Sequence, residues 1–137
     1  MFLRNGISLA GLCLILTVWG CGAKVDGPDR YRVSGTITYD GKPVPFGDIN
    51  FVPDTSAGGS GPQGSAKIIN GRFDTNVDDG KGTVGGPMVA VINGRTKDAP
   101  GETEDQGILF TNYEQKMELP TKDETLEIVI PVIKSKK

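Results

Sequence analysis

Tyr31-Arg32-Val33-Ser34-Gly35-Thr36-Ile37-Thr38-Tyr39 decides the fold. Apolar residues recur at every second place, and Arg32, Ser34, Thr36 and Thr38 fill the other face. Side chains alternate across a strand, so this stretch predicts a half-buried β-strand. Asp40-Gly41 follows, a pair that tolerates positive φ and predicts a turn. Lys42-Pro43-Val44-Pro45 cannot continue a central strand, because proline lacks a ladder donor.

Moving toward the C-terminus, residues 47–52 predict a second strand with Ile49 and Phe51 inward and Asp48 and Asn50 outward. Pro53 ends it, and residues 54–64 form a Gly/Ser/Pro loop without apolar anchors. Asn70-Gly71 between two apolar runs is a hairpin signal, with Ala66, Ile68 and Phe73 facing the core. Residues 76–86 are glycine-rich. Met88-Val89-Ala90-Val91-Ile92 is apolar on both faces, as a central strand would be. Residues 94–107 make a long polar loop, and residues 108–119 an irregular strand plus a turn. Residues 125–131 restore alternation, with Leu126, Ile128 and Ile130 inward.

These strands and turns predict an all-β protein, an antiparallel β-sandwich of about seven strands, with no helix longer than one turn. If consecutive strands alternate in direction, the Asp40-Gly41 turn, the Asn70-Gly71 hairpin and the 94–107 loop share one end. The loops 54–64 and 76–86 then share the other, beside the start of the domain.

Working outward toward the N-terminus, thirteen mostly apolar residues from Ile7 to Trp19 lie between a basic start at Arg4 and Gly20-Cys21-Gly22. As a helix they would span about 20 Å, short of a bilayer core of about 30 Å. A charged start, a short apolar run and a small residue before a cut define a secretory signal. The cysteine just past the cut makes the segment resemble a bacterial lipoprotein signal, which implies that Cys21 is lipidated and becomes the first residue. The expected organisation is a signal peptide at 1–20, lipidated Cys21 and a flexible tether to residue 30, a sandwich at 31–132, and a basic tail at 133–137. The expected location is the cell envelope. Where the usual lipoprotein sorting applies, the non-aspartate Gly22 favours the outer membrane.

Removing residues 1–20 takes Arg4 and Cys13 with it. Fourteen basic residues then face 17 acidic ones, a balance that argues against nucleic acid as a partner. Cys21 is left as the single cysteine, so the mature chain contains no disulfide. Histidine is absent, which removes the commonest general base and zinc ligand. No cofactor is expected.

Asp74, Asn76, Asp78 and Asp79 are metal candidates, because oxygen ligands at alternate positions before a glycine suggest a calcium loop. Gly80 stands seventh where the sharp turn needs the sixth position, and Gly85 stands where a bidentate carboxylate is needed. Glu102, Glu104 and Asp105 could act as paired carboxylates, but they sit in a long loop rather than on rigid elements. Asp40, Gly41, Lys42 and Phe46, with Glu102, Glu104 and Asp105, make up an expected interaction surface at one end. Phe46, between Pro45 and Gly47, is expected to be partly exposed.

The run Gly35-Thr36-Ile37-Thr38-Tyr39-Asp40-Gly41-Lys42-Pro43-Val44, followed by Ile49-Asn50-Phe51-Val52-Pro53, resembles a known group. These are small bacterial lipoproteins, abundant in planctomycetes, with a transthyretin-like, carboxypeptidase-regulatory-like domain. Gly71-Arg72-Phe73 also fits, and the resemblance covers roughly residues 31–132. Gly86-Pro87-Met88-Val89 departs from it where an aromatic is usual. The resemblance implies a seven-stranded sandwich at the envelope and no catalysis. The function expected is therefore a lipid-anchored, non-catalytic module that contacts the membrane through its anchor and an envelope protein or glycan through its surface. A calcium-dependent adhesion module and a carboxylate-dependent hydrolase stand as alternatives.

Overall fold

The computed structural model describes residues 27–97 and 107–133. Cys21, the segment 1–20, Glu102, Glu104, Asp105 and the four last residues lie outside them. The elements are β1 (Val33–Tyr39), β2 (Lys42–Pro43), β3 (Phe46–Pro53), β4 (Gly64–Ile69), β5 (Arg72–Asp74), β6 (Gly86–Arg95), β7 (Ile108–Leu119) and β8 (Glu124–Ile130). A 3₁₀ turn, Thr55–Ala57, interrupts the 54–64 loop. Among the described residues no helix is long and apolar enough to cross a membrane.

The protein is all-β. Its strands connect in the order β2-β1-β5-β4-β3-β6-β7; β2 and β5 pair successive stretches of one flank of β1, and β8 pairs the other flank along its whole length. Among the described residues every strand pairing is antiparallel except β1 with β8, which is parallel along Val33–Tyr39. Four strands separate β1 from β7, so a flat sheet would hold them about 24 Å apart. Instead the rings of Tyr39 and Phe110, on those two strands, lie 5.0 Å apart between centroids, tilted by 42°. The sheet therefore curls over itself, and its inner face is the core of the sandwich. Ile37, Ile49, Phe51, Ile68, Phe73, Ile92 and Ile128 fill it, each at 3% exposure or less.

Both predicted turns form. Asp40 and Gly41 have φ of 52° and 72°, and Asn70 and Gly71 have 51° and 73°. Positive φ at both central residues matches the right-handed twist of the flanking strands. The turns also interlock. The Gly71 and Asn70 amides donate to the Val44 and Pro45 carbonyls at 2.6 and 2.7 Å, and the Ile37 amide donates to Gly71 at 2.8 Å. Val44 is thereby sealed at 0% exposure.

The loops sort by end as strand alternation predicts. The 54–64 and 76–86 loops meet where the Asp54 amide donates to Pro87 at 2.9 Å and Ser65 bridges to Lys81. Tyr31 bridges to Thr83 at the same end, and the Arg30 guanidinium donates to the carbonyls of Gly82 and Gln63. The Asp40-Gly41 and Asn70-Gly71 turns lie at the opposite end, with the described ends of the 94–107 loop, where Thr96 donates to Gly107.

Two expectations need correction. Residues 108–119 form one continuous strand with no turn, the longest among the described residues. Its weak pattern has a physical cause: β7 is a sheet edge, and a bulge near Asn112, with φ of 51°, shifts its register on β6. The middle strand extends over ten residues rather than five, from Gly86 to Arg95. The last strand, β8, lies beside β1 rather than beside its sequence neighbour β7. Residues 120–123 carry the chain across to β1, where the Glu124 amide donates to the Arg32 carbonyl at 2.9 Å and the Arg32 amide to Asp123 Oδ1 at 2.8 Å.

Two buried threonines predict opposite responses to one substitution. Thr75 is 1% exposed, and its hydroxyl accepts the Val33 amide at 2.9 Å. Thr83 is 0% exposed, and its hydroxyl has no hydrogen-bond partner among the described residues. Thr75→Val orphans a buried amide and is expected to cost about 1–3 kcal/mol. Thr83→Val removes an unpartnered hydroxyl and is expected to stabilise by up to about 1 kcal/mol. Urea melts of the two variants check this, and a Thr83→Val protein destabilised as much as Thr75→Val contradicts it.

Candidate functional site

Strand alternation that buries Val33, Ile37, Ala66, Ile68 and Phe73 sends their neighbours outward. Ser34 and Thr36 of β1, Lys67 and Ile69 of β4, and Arg72 and Asp74 of β5 therefore share the outer face. With Arg32, Val77, Asp78 and Thr125 they line an open hollow of about 500 Å³. The two-residue hairpin fixes part of this, since it sets Ile69 opposite Arg72 and Ile68 opposite Phe73.

Arg32 and Asp74 form the polar wall. Nε of Arg32 donates to Asp74 Oδ1 at 3.0 Å, and Nη2 donates to Oδ2. The Asn76 amide donates to the same carboxylate at 2.9 Å. The Arg32 hydrogen bonds, and then the Asn76 amide, hold the Asp74 carboxyl below the ordinary carboxylate range. The carboxylate in turn raises the Arg32 guanidinium. The folded Asp74 pKa lies below its unfolded value, so the pair stabilises the fold above about pH 4 and is lost as pH falls through the folded value. The urea midpoint is expected to fall modestly on acidification in that window, the pair being partly exposed. Asp74→Asn should remove that part of the acid slope, and an unchanged slope in the variant contradicts the assignment.

A second hollow, of about 320 Å³, adjoins the first through Lys67 and Ile69 and reaches Asp48 and Arg95. Here Asp48 accepts from Asn93 Nδ2 at 2.9 Å and Asn50 Nδ2 at 3.3 Å. Asn93 Oδ1 accepts the Asn112 amide at 2.8 Å, which pins the β7 bulge to the outer face.

The structure separates the metal candidates. The Asp74 carboxylate is taken by Arg32. Asp78 lines the hollow, whereas Asn76 and Asp79 lie exposed in the following turn. Among the described residues no group of three or more His, Cys, Asp or Glu gathers to hold a metal ion. Asp40, Gly41 and Lys42 are exposed at the distal turn. Phe46 is half-buried, as are Tyr31, Tyr39 and Tyr113. Register places Phe46 in a row across the outer face, Thr36–Arg72–Ile69–Phe46–Arg95–Ile108, rather than at the turn alone. Cys21, Glu102, Glu104 and Asp105 lie outside the described residues.

Among the described residues, the two carboxylates with displaced titration, Asp74 and Asp54, are both held ionised, Asp54 chiefly by the Ser56 hydroxyl. A general acid needs a shift in the other direction. Chemically, the first hollow offers a fixed guanidinium–carboxylate pair, three hydroxyls, two further cations and two exposed apolar side chains.

Sequence reading missed Lys67, Ile69, Arg72 and Val77. The signal for the first three lay in the hairpin, whose two-residue turn fixes which residues oppose one another. Fold and site together define a small all-β sandwich with an open polar face. No family model, curated protein or solved structure matches the chain.

Proposed function

We propose that the chain is a lipid-anchored, non-catalytic β-sandwich of the cell envelope that contacts an envelope protein or glycan. The observation that carries this reading is Cys21, directly after a basic start and the thirteen-residue apolar run Ile7 to Trp19. Acyl chains on that cysteine contribute about 0.8 kcal/mol per buried CH₂, and more than one chain gives lasting attachment. The resemblance to transthyretin-like, carboxypeptidase-regulatory-like lipoproteins supports the same reading, and Gly22 favours the outer membrane.

The end geometry supports it further. Arg30 is tied to the carbonyls of Gln63 and Gly82, so the tether leaves from the end that holds the 54–64 and 76–86 loops. Asp40, Gly41 and Lys42 then project away from the membrane, and the outer face with Phe46 stands to one side.

Amine-reactive cross-linking in intact cells, read by mass spectrometry, tests this. A recurrent envelope partner joined through Lys42 or Lys67 is the expected result. Neighbours captured only in proportion to their abundance would overturn the protein contact and leave the glycan contact as the one to test by binding.

A further inference from the structure

We propose that the hollow lined by Arg32, Ser34, Thr36, Lys67, Arg72 and Thr125 binds a carboxylate-bearing saccharide. This rests on the reading of the chain as an envelope contact module and names the ligand class and the site.

Charge comes first. Arg32, Lys67 and Arg72 face Asp74 and Asp78 in the hollow, an excess of one positive charge in a chain whose net charge is −2. Asp74 is committed to Arg32. Lys67 and Arg72 form no ion pair among the described residues, although both are exposed. An anion placed between them meets two cations that lose no existing partner, and the planar fork of Arg72 suits a carboxylate bound through both oxygens.

The rest of the lining favours a sugar over a peptide. This is a sheet face, where the backbone donors and acceptors of β1, β4 and β5 are already used in the ladders. An extended peptide gains its main-chain bonds at a sheet edge, so a face reads its ligand by side chains alone. Ser34, Thr36 and Thr125 each offer a hydroxyl that donates and accepts, which suits a polyhydroxyl ligand. Ile69 and Val77, 42% and 50% exposed, flank them as apolar walls for the C–H face of a ring. A volume of about 500 Å³ accommodates a short oligosaccharide segment.

Calorimetric titration of the detergent-solubilised mature protein tests this, with oligogalacturonate, an uncharged galactan of equal length and poly-glutamate as probes. Oligogalacturonate should bind at least about tenfold tighter than either of the others, and more weakly as salt rises. Lys67→Gln/Arg72→Gln should weaken it at least about tenfold, whereas Lys116→Gln, on β7, should leave it unchanged. Circular dichroism confirms that the variants fold. Absence of binding, equal binding of the neutral galactan, equal binding of poly-glutamate, or an unaffected double variant each overturns the proposal. A protein partner found by cellular cross-linking would leave the envelope role standing in any of those cases, so the two failures are distinguishable.

Discussion

Gly35→Ala is expected to cost about 3 kcal/mol or more and to loosen β8 from β1. Gly35 occupies an inward-phase position of β1, between Val33 and Ile37, and pairs with Leu126 in the parallel register. A Cβ there would overlap the Leu126 carbonyl oxygen and crowd its carbon at 2.8 Å. Backbone cannot rotate aside as a flexible side chain can, so the two strands must separate. Because β8 supplies Ile128 and Ile130 to the core, separation also uncovers apolar surface. Two controls divide the causes. Gly27 has nothing within 4 Å of the place a methyl would take, and Gly27→Ala should stay within about 0.5 kcal/mol. Gly41 has equal room but φ of 72°, and Gly41→Ala should cost about 1–2 kcal/mol through conformation alone. Hydrogen exchange should show β8 amides losing protection first in Gly35→Ala. Unchanged protection there would contradict the parallel pairing.

Phe51→Ala should be as damaging, at about 3–5 kcal/mol. Phe51 is 0% exposed on β3, which is paired on both sides, by β4 and β6. Its ring lies 6.1 Å from that of Phe73, tilted by 48°, across the curl of the sheet. Truncation removes that contact and leaves a cavity, since both flanking strands are held by their ladders and cannot collapse inward. Small domains have a stability of about 5–15 kcal/mol, so this loss is a large fraction of the whole. Phe51→Leu, which retains most of the volume, should recover much of it. Val129→Ala, at a residue 61% exposed, should change stability by less than about 0.5 kcal/mol. Urea midpoints rank the three, and a Phe51→Ala loss below about 1 kcal/mol would contradict the packed core.

What was legible in the sequence was local. The alternation of Tyr31 to Tyr39 and the Asn70-Gly71 turn specify their elements through residues a few places apart. The same holds for Ile49, Phe51, Ala66, Ile68 and Phe73, all expected inward and all buried. The edge strand β7 was less legible because Glu114, Lys116 and Glu118 face solvent while Tyr113, Gln115 and Met117 are only partly covered. Its inner face therefore lacks a clean apolar phase, and the bulge at Asn112 shifts what phase there is.

Non-local pairing was not legible at all. Nothing in residues 124–130 says that they will lie parallel to β1. The site shows the same division. Arg32, Ser34 and Thr36 read as one outer face, and the hairpin register sets Ile69 against Arg72. That these two sets meet depends on β1 pairing with β5. Asp74 illustrates the consequence. By spacing it was an oxygen ligand, whereas the fold brings to it the guanidinium of Arg32, 42 positions earlier.

Intact-mass measurement of the protein extracted from membranes tests the proposed attachment to the envelope through Cys21. Lipidation predicts a chain beginning at Cys21, without residues 1–20 and heavier than the bare polypeptide by its acyl groups. A chain that retains residues 1–20 with an unmodified Cys21 would contradict it.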